Sequence, residues 1–252
     1  MQTGQVVALL AAALAAGWVD AVVGGGGLLQ LPALLLAGLS PVEALAVNKC
    51  AGVFGTGSAA VTYARKAVSD PGIAVPSGLL AVPFAGLGAA SASMLNAAVL
   101  KPLVLVVLIG VAAFVTMRPA FGAAAHSERR IPARIAVAVG LAGTAIAFYD
   151  GLLGPGTGTF LLIVFASVVG MDFVHASATA KAVNTGTNLG ALMVFAWQGH
   201  VLWGLGLGMA VCNIAGAQIG ARMAIRRGAR FVRIVLLCVV TALVIRLAYD
   251  LM

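Results

Sequence analysis

Two stretches of the sequence decide the fold: residues 17–36, GWVDAVVGGGGLLQLPALLL, and residues 147–166, AFYDGLLGPGTGTFLLIVFA. In each stretch one aspartate, Asp20 or Asp150, stands four residues before a glycine cluster. The surrounding residues are apolar enough to be buried in lipid, where a charge and a break in a helix are both costly. The repeated pattern therefore indicates two specialised elements inside a membrane protein.

The composition of the whole chain supports this class. The 252 residues are 62% hydrophobic and 9% charged, whereas soluble domains contain about 45–50% apolar and about 25% charged residues. Runs of roughly 20 apolar residues, enough to cross a bilayer core of about 30 Å, recur along the sequence. The three cysteines lie in apolar runs without metal-ligand spacing, so we expect buried thiols and no cofactor.

The apolar runs predict the helices. Two of them hold only about 12 residues, which as a helix span about 18 Å, less than the hydrocarbon thickness. Each short run is expected to form one arm of a hairpin with its glycine tip inside the membrane. The predicted fold is an all-α polytopic bundle of about eight full spans plus two short glycine-broken hairpin helices, up to ten helices. The runs are 3–19, 28–39, 41–64, 73–96, 99–117, 132–150, 158–169, 173–197, 201–221 and 231–249.

The two halves of the sequence can be superimposed. When the second half is aligned with the first at an offset of 130 residues, the aspartates and glycines of the two halves coincide. After an insertion of two residues, which raises the offset to 132, the helix caps and lysines coincide as well. We therefore predict an internal duplication: repeat 1 at 1–118, a cytoplasmic linker at 119–131 and repeat 2 at 132–252. The matching pairs are Asp20 and Asp150, Gly24 and Gly154, Gly26 and Gly156, Ser40 and Asp172, and Lys49 and Lys181.

Basic residues predict how the halves are oriented. Eleven of the 15 lysines and arginines fall on one side if the long spans cross once and each hairpin returns to its starting side. The positive-inside rule places that side in the cytoplasm and both termini in the periplasm. The same arrangement makes the second repeat inverted relative to the first, a common plan of secondary transporters. The net charge of +8 is chiefly this topology signal, so no nucleic-acid partner is expected.

The glycine clusters are candidates for a substrate site. A break inside a membrane helix frees backbone N–H groups, and at a helix N-terminus these groups and the helix dipole attract an anion. The alternative is that the glycines only allow tight hairpin packing. Asp20 and Asp150 either cap free N–H groups, which we favour, or pair with a lysine. The candidate substrate ligands in these clusters are Gly24, Gly25, Gly26, Gly154, Gly156, Thr157 and Gly158.

Two lysines are predicted near the bilayer centre. Ser40, Pro41 and Glu43 form a capping-box sequence, and Lys49 follows nine residues later, about 13 Å along the helix. Lys181 likewise follows the predicted cap Asp172 by nine residues. A charge at this depth costs about 2.5–3.5 kcal/mol, so it requires a function or a partner. The lysines therefore bind substrate, pair with Asp20 or Asp150, or do both.

Amides and hydroxyls surround these lysines in the sequence. Lys181, Thr185 and Asn188 are spaced i, i+4 and i+7, which places them on one helical face. Such a face offers several donors to one oxyanion, although interhelical hydrogen bonds are the alternative use. Small residues at small-xxx-small spacing, Ala81/Ala85 and Gly216/Gly220, predict close helix packing only. The further substrate-binding candidates of this group are Asn48, Asn184, Thr185 and Asn188.

The paired elements DAVVGGGG…NKCAG and DGLLGPGTGTF…KAVNTGTN, in a chain of about 250 residues with two similar halves, resemble the TauE/SafE family, also called the sulfite exporter family. The resemblance covers nearly the whole chain. It implies a bacterial plasma-membrane carrier, with members linked to export of sulfite and organosulfonates. The first cluster, GGGGLLQ, departs from the alternating GPGTG of the second, so we expect the halves to contribute unequally to binding.

The function expected from the sequence is a secondary transporter that exports small sulfur oxyanions by alternating access. The alternatives are a carrier or channel for another small anion, such as a carboxylate or sulfate, and a membrane assembly factor that transports nothing. An enzyme is not expected, because the three histidines lie near predicted span ends and neither HExxH nor GxSxG occurs. The expected partners are the anion and the lipid bilayer, and a homodimer is left open.

Overall fold

The computed structural model describes residues 3–66, 68–94, 128 and 130–250, and in these residues it contains helices and no strand. The all-α class is therefore confirmed. The predicted span at 99–117 and most of the predicted linker at 119–131 lie outside the described residues. The helices are α1 Thr3–Val23, α2 Gly26–Leu36, α3 Pro41–Arg65, α4 Pro71–Met94, α5 Pro132–Leu152, α6 Thr157–Val169, α7 Phe173–Trp197 and α8 Trp203–Asp250.

The two predicted helix caps are present. The backbone N–H of Glu43 donates to the Ser40 hydroxyl at 3.4 Å, and the backbone N–H of Ser40 donates to the Glu43 carboxylate at 3.0 Å. At the start of α7 the Asp172 carboxylate accepts hydrogen bonds from the backbone of Val174 and His175 at 2.9 and 3.1 Å. These caps fix the starts of α3 and α7, so that Lys49 and Lys181 each lie nine residues after the cap of their helix.

Four described helices are long and apolar enough to cross a membrane: Thr3–Val23, Pro71–Met94, Pro132–Leu152 and the part of α8 at Trp203–Val239. The helices α3 and α7, with 25 residues each, span about 38 Å but carry many polar residues. As predicted, a short helix follows each glycine cluster. The helix α2 has 11 residues, and α6 runs over Thr157–Val169.

The break predicted between the spans 201–221 and 231–249 is present but shorter than expected. Two helices of the segment Trp203–Asp250 meet at a kink at Gly228, with φ 73° and ψ −171°, and the residues on either side of this glycine are helical. Arginine and alanine are good helix formers, so only the glycine departs from helical geometry. The π-helical turns at Ala142–Ile146 and Phe165–Val169 are also unpredicted.

The halves are interleaved. The helices α1 and α3 of the first half pack on α8, while α5 and α7 of the second half pack on α4, and α3 packs on α7 in the centre. Small residues allow the close approaches. A Cβ at Gly216 would lie 2.0 Å from the Leu14 oxygen, and a Cβ at Gly151 would lie 1.9 Å from the Ala85 oxygen. Close packing at the predicted small-residue positions Ala85 and Gly216 is thus confirmed.

Two hydrophobic cores lie at opposite ends of the bundle. The first contains Leu9 near the start of α1 and Leu34 near the end of α2. The second contains Ala138 near the start of α5 and Phe165 in the last turn of α6. The α1–α2 hairpin therefore opens toward one core and the α5–α6 hairpin toward the other, and their tips point at each other.

Candidate functional site

The two glycine tips touch through their backbones. A Cβ built on Gly24 would lie 2.2 Å from the Gly158 Cα, and a Cβ on Gly158 would lie 2.2 Å from the Gly24 Cα. Gly24 also has φ +79°, a conformation that L-residues with side chains rarely adopt. Glycine is therefore required on both sides of this contact, which brings the N-termini of α2 and α6 together.

A small polar cavity of about 30 Å³ lies at the tips. Such a volume has room for about two water molecules. The cavity is therefore too small for an organic anion in this conformation. It is lined by Asp20, Gly24, Gly26, Gly27, Gln30, Asn48, Lys49, Gly52, Thr56, Asp150, Gly154, Thr157, Gly158, Asn184, Asn188 and Asn213.

Each buried lysine pairs with the aspartate of the other half. The Lys49 Nζ lies 2.8 Å from the Asp150 Oδ2, and the Lys181 Nζ lies 3.1 Å from the Asp20 Oδ2. Both ammonium groups are almost completely buried, as is Asp150, whereas Asp20 is slightly more accessible. Two ion pairs thus connect the first half to the second directly beside the tips.

The aspartates also bind the turns that follow them. The Asp20 Oδ1 accepts a hydrogen bond from the backbone N–H of Gly26 at 3.3 Å, which is the predicted capping role. The Asp150 Oδ1 accepts a hydrogen bond from the Thr157 hydroxyl at 2.7 Å. Capping of a backbone N–H and lysine pairing therefore occur together at Asp20, whereas Asp150 pairs with Lys49 and binds a side-chain hydroxyl.

The paired charges make the site electrically neutral. The charged side chains that line the cavity are Asp20, Lys49 and Asp150. Lys181 does not line the cavity but pairs with Asp20 and neutralises its charge. Any anion that enters this cavity must share Lys49 with a carboxylate or displace it. The positive N-terminal ends of α2 and α6 are directed at the same space, and they favour negative charge there.

Most of the predicted substrate ligands converge on the cavity. Four of them do not line it. Gly25 packs against Val19, Leu28 and Val239, and Gly156 has φ +83° with no atom within 4 Å of an added Cβ. The predicted residues that do line the cavity are Gly24, Gly26, Asn48, Lys49, Gly154, Thr157, Gly158, Asn184 and Asn188.

The other two predicted substrate-binding residues that do not line the cavity, Lys181 and Thr185, lie on α7. The Thr185 hydroxyl donates to the Lys181 oxygen at 2.8 Å and lies 3.3 Å from the Thr56 hydroxyl, so it bonds within the helix pair α3–α7. Lys181 is held by Asp20. The expectation that one α7 face presents Lys181, Thr185 and Asn188 to a common ligand is therefore not met in this conformation.

Gln30 and Asn213 were not expected at the site. The Asn213 Nδ2 donates to the Gln30 Oε1 at 3.0 Å, and both side chains are buried. The Gln30 Nε2 and the Asn184 Oδ1 have no hydrogen-bond partner within the described part of the chain. The sequence feature that could have indicated Gln30 is that it is the one polar residue in the apolar run LLQLPALLL. The repeat comparison does not reveal these residues, because Phe160 and Ala81 stand at the offset positions.

The chemistry of the site is that of binding. It offers a lysine, amide groups, a threonine hydroxyl and two helix N-termini around one cavity. Within the described residues no group of three or more His, Cys, Asp or Glu side chains could hold a metal ion. The arrangement therefore suits reversible recognition of a small polar solute at the contact between two halves.

Comparisons with known proteins agree on membrane transport. A family model described as "Sulfite exporter TauE/SafE" matches residues 9–247. The chain is 38% identical to "Probable membrane transporter protein ORF9" of a Sinorhizobium species, over 96% of this chain and 92% of that protein. It is 31% identical to "Probable membrane transporter protein YfcA" of Escherichia coli K12, over 94% and 87% of the respective chains. No solved structure matches the chain.

Proposed function

Because the chain belongs to the sulfite exporter TauE/SafE family of membrane transporters, we propose that it exports a small sulfur oxyanion, sulfite or a short organosulfonate, by alternating access. The observation that carries the proposal is the small polar cavity where the tips of the two hairpins meet, beside Lys49. The description of the family supports the choice of sulfur oxyanions, while the geometry supports binding of a compact polar solute.

Anion binding follows from an exchange at Lys49. In this conformation its ammonium group is neutralised by Asp150 at 2.8 Å. A sulfite or sulfonate oxygen presents the same negative acceptor, and charge-assisted hydrogen bonds are roughly twice as strong as neutral ones. We expect the substrate to replace the carboxylate on Lys49, while the amides of Asn48, Asn188 and Gln30 donate to its other oxygens.

That exchange connects binding to movement. Asp150 lies at the end of α5, directly before the second tip, so its release from Lys49 removes one of the two lysine–aspartate ion pairs between the halves. The hairpins open toward opposite cores, which supports an inverted-repeat arrangement and a cavity that opens to one end at a time. With a cytoplasm-negative potential, exit of an anion gains about 2.3 kcal/mol per charge per 100 mV.

The proposed orientation places the basic end of the bundle in the cytoplasm of a bacterial inner-membrane protein. Asp70, in the connection between α3 and α4, contacts Arg130 just before α5. Arg65, at the end of α3, shares a cleft with Arg222 of α8. Basic segments that are far apart in sequence thus lie at the same end, as the positive-inside rule requires.

Transport by purified protein in liposomes tests the proposal. The substrate panel is sulfite, sulfoacetate, taurine, sulfate, acetate and a neutral sugar. We expect saturable uptake of sulfur oxyanions that is stimulated by the same anion on the opposite side. Empty liposomes and an Arg227→Gln variant, which changes an exposed charge away from the cavity, are the controls.

Each other result contradicts a defined part of the proposal. Preference for acetate over every sulfur oxyanion would exclude the sulfur assignment but leave an anion carrier. Preference for neutral solutes would exclude anion recognition. Flux that rises linearly with concentration would indicate a channel, and absence of flux with the whole panel would favour an assembly role.

A further inference from the structure

A second cavity lies away from the glycine tips, between the C-terminal end of α3 and the middle of α8. This cleft has a volume of about 450 Å³. We propose that it binds the phosphate headgroup of an anionic phospholipid. The proposal does not depend on the transported substrate. The cleft is lined by Thr62, Arg65, Lys66, Gln218, Arg222, Ile225 and Arg226.

The charge of the cleft is the first argument. Four of its seven lining residues are cationic and none is acidic. Within the described residues, none of the four cations forms an ion pair with a carboxylate. Basic pockets between membrane helices at the cytoplasmic side are typical binding sites of acidic lipid headgroups. A phosphate bound here would reduce the electrostatic repulsion between these four cations, which no carboxylate of the described residues reduces.

The floor of the cleft is neutral and fixed. The Thr62 hydroxyl donates to the Gln218 Oε1 at 3.0 Å, and the Gln218 Nε2 donates to the Ser58 oxygen at 3.0 Å. These bonds hold α3 and α8 together below the cations. Arg65, Lys66, Arg222 and Arg226 are exposed at the rim, where they can close around a headgroup.

Exposed apolar residues below the cations distinguish a lipid from a soluble anion. On α3, Phe54 and Val61 are 42% and 50% exposed, and with Arg65 they are spaced i, i+7 and i+11 on one face. On α8, Val211 and Ile219 are 69% and 52% exposed. They precede Arg222 at the spacing i, i+8 and i+11. Each helix therefore carries an apolar stripe that ends at a cation of the cleft.

The two stripes lead to the same place because α3 and α8 run side by side in the same direction. An added Cβ at Gly206 would meet Cys50, an added Cβ at Gly55 would meet Asn213, and Thr62 bonds Gln218. In a membrane, exposed aliphatic side chains contact acyl chains. A phosphate group above two apolar stripes matches a phospholipid with two acyl chains.

Binding of defined lipids to the purified full-length protein tests the proposal. Native mass spectrometry and thermal unfolding in detergent are compared for phosphatidylglycerol and phosphatidylcholine with identical acyl chains. Inorganic phosphate serves as a probe without acyl chains. We expect phosphatidylglycerol to bind and raise the unfolding temperature, with little effect of phosphatidylcholine or inorganic phosphate.

Matched variants locate the site. Arg222→Gln/Arg226→Gln removes two cations of the cleft, and Arg227→Gln/Arg230→Gln removes two from the same segment outside it. The first should weaken phosphatidylglycerol binding roughly 30-fold, since each basic residue near an anionic lipid contributes about fivefold. The second should weaken it much less. Circular dichroism verifies that both variants are folded.

Three results would overturn the proposal. Equal binding of both lipids would show that the headgroup charge is not recognised. Equal losses in the two double variants would show only a general effect of net charge. Saturable stabilisation by inorganic phosphate, as strong as that by phosphatidylglycerol and lost in Arg222→Gln/Arg226→Gln, would assign the cleft to a soluble anion.

Discussion

At the scale of the residue, the two lysine–aspartate pairs explain how a membrane protein keeps four charges in its interior. Lys49 pairs with Asp150 and Lys181 with Asp20, so each of these two buried ammonium groups has a carboxylate oxygen at 2.8–3.1 Å. Removing one member of a buried pair leaves an uncompensated charge, whereas replacing both members by apolar residues often leaves stability unchanged. The pairs therefore predict strongly non-additive effects of substitution.

A double-mutant cycle on Lys49 and Asp150 tests this. Lys49→Met and Asp150→Leu should each lower the free energy of unfolding by about 3–5 kcal/mol, and the double variant should recover most of the loss. Denaturant titration in detergent provides the measurement. The double variant should still fail to transport anions in liposomes, because its cavity lacks the cation.

The equivalent cycle on Lys181 and Asp20 is the matched comparison. Asp20 is more accessible than Asp150, so its coupling to Lys181 should be smaller. Additive losses in the Lys49–Asp150 cycle would contradict a functional ion pair, and normal transport by its double variant would exclude Lys49 from substrate binding.

At the scale of the element, the hairpins depend on where glycine is sterically required. Gly24 has both a positive φ and a backbone contact with Gly158, whereas Gly156 has a positive φ but open space around it. The two tips are also unequal in their polar side chains, because Gln30 of α2 has Phe160 of α6 at the offset position. Whether the halves also contribute unequally to substrate binding stays a prediction.

Alanine substitutions at Gly24 and Gly156 distinguish the cost of a strained backbone conformation from the cost of losing the contact between the two tips. Gly156→Ala should cost about 1–2 kcal/mol, the strain of a left-handed residue. Gly24→Ala should cost at least about 2 kcal/mol more and reduce transport, because its Cβ would lie 2.2 Å from the Gly158 Cα. Unfolding midpoints and liposome flux are measured for both variants. Equal effects of the two substitutions would show that the tip contact does not matter.

At the scale of the whole molecule, the interleaved halves place the site at their shared centre. Both α1 and α3 pack on α8, and both α5 and α7 pack on α4, so neither half is a separate body. The cavity is lined by residues of both halves, with room for about two waters. A substrate larger than that can bind here only if the groups around the cavity move apart, as the proposed alternating access requires.

The orientation in the membrane is testable by cysteine labelling. In a background without Cys50, Cys212 and Cys238, single cysteines are introduced as Gln2→Cys and Glu128→Cys. From the positive-inside rule, a membrane-impermeant reagent should label position 2 in intact cells and position 128 only after permeabilisation. Strong labelling at position 128 together with none at position 2 in intact cells would reverse the proposed orientation.

The sequence was sufficient to predict those features that depend only on interactions between residues close together in the chain. The caps Ser40 and Asp172 and the glycine clusters depend on neighbouring residues, so they were predicted correctly with the register of both lysines. The continuous helix through Arg222–Arg227 was missed because charge suggested a loop, whereas helix propensity and tertiary packing kept the segment helical. Gln30 and Asn213 were missed because a single polar residue in an apolar run carries no partner in its own neighbourhood.

The sequence by itself determined the membrane class, the two glycine-broken hairpins, the positions of Lys49 and Lys181 along their helices, and the family. Only the tertiary structure decided which aspartate neutralises each lysine, that Gly24 touches Gly158, and that Gln30 bonds Asn213. Lys181 and Asp20 are 161 residues apart. Their pairing depends on how distant helices pack, and packing is set by complementary surfaces that no local pattern encodes.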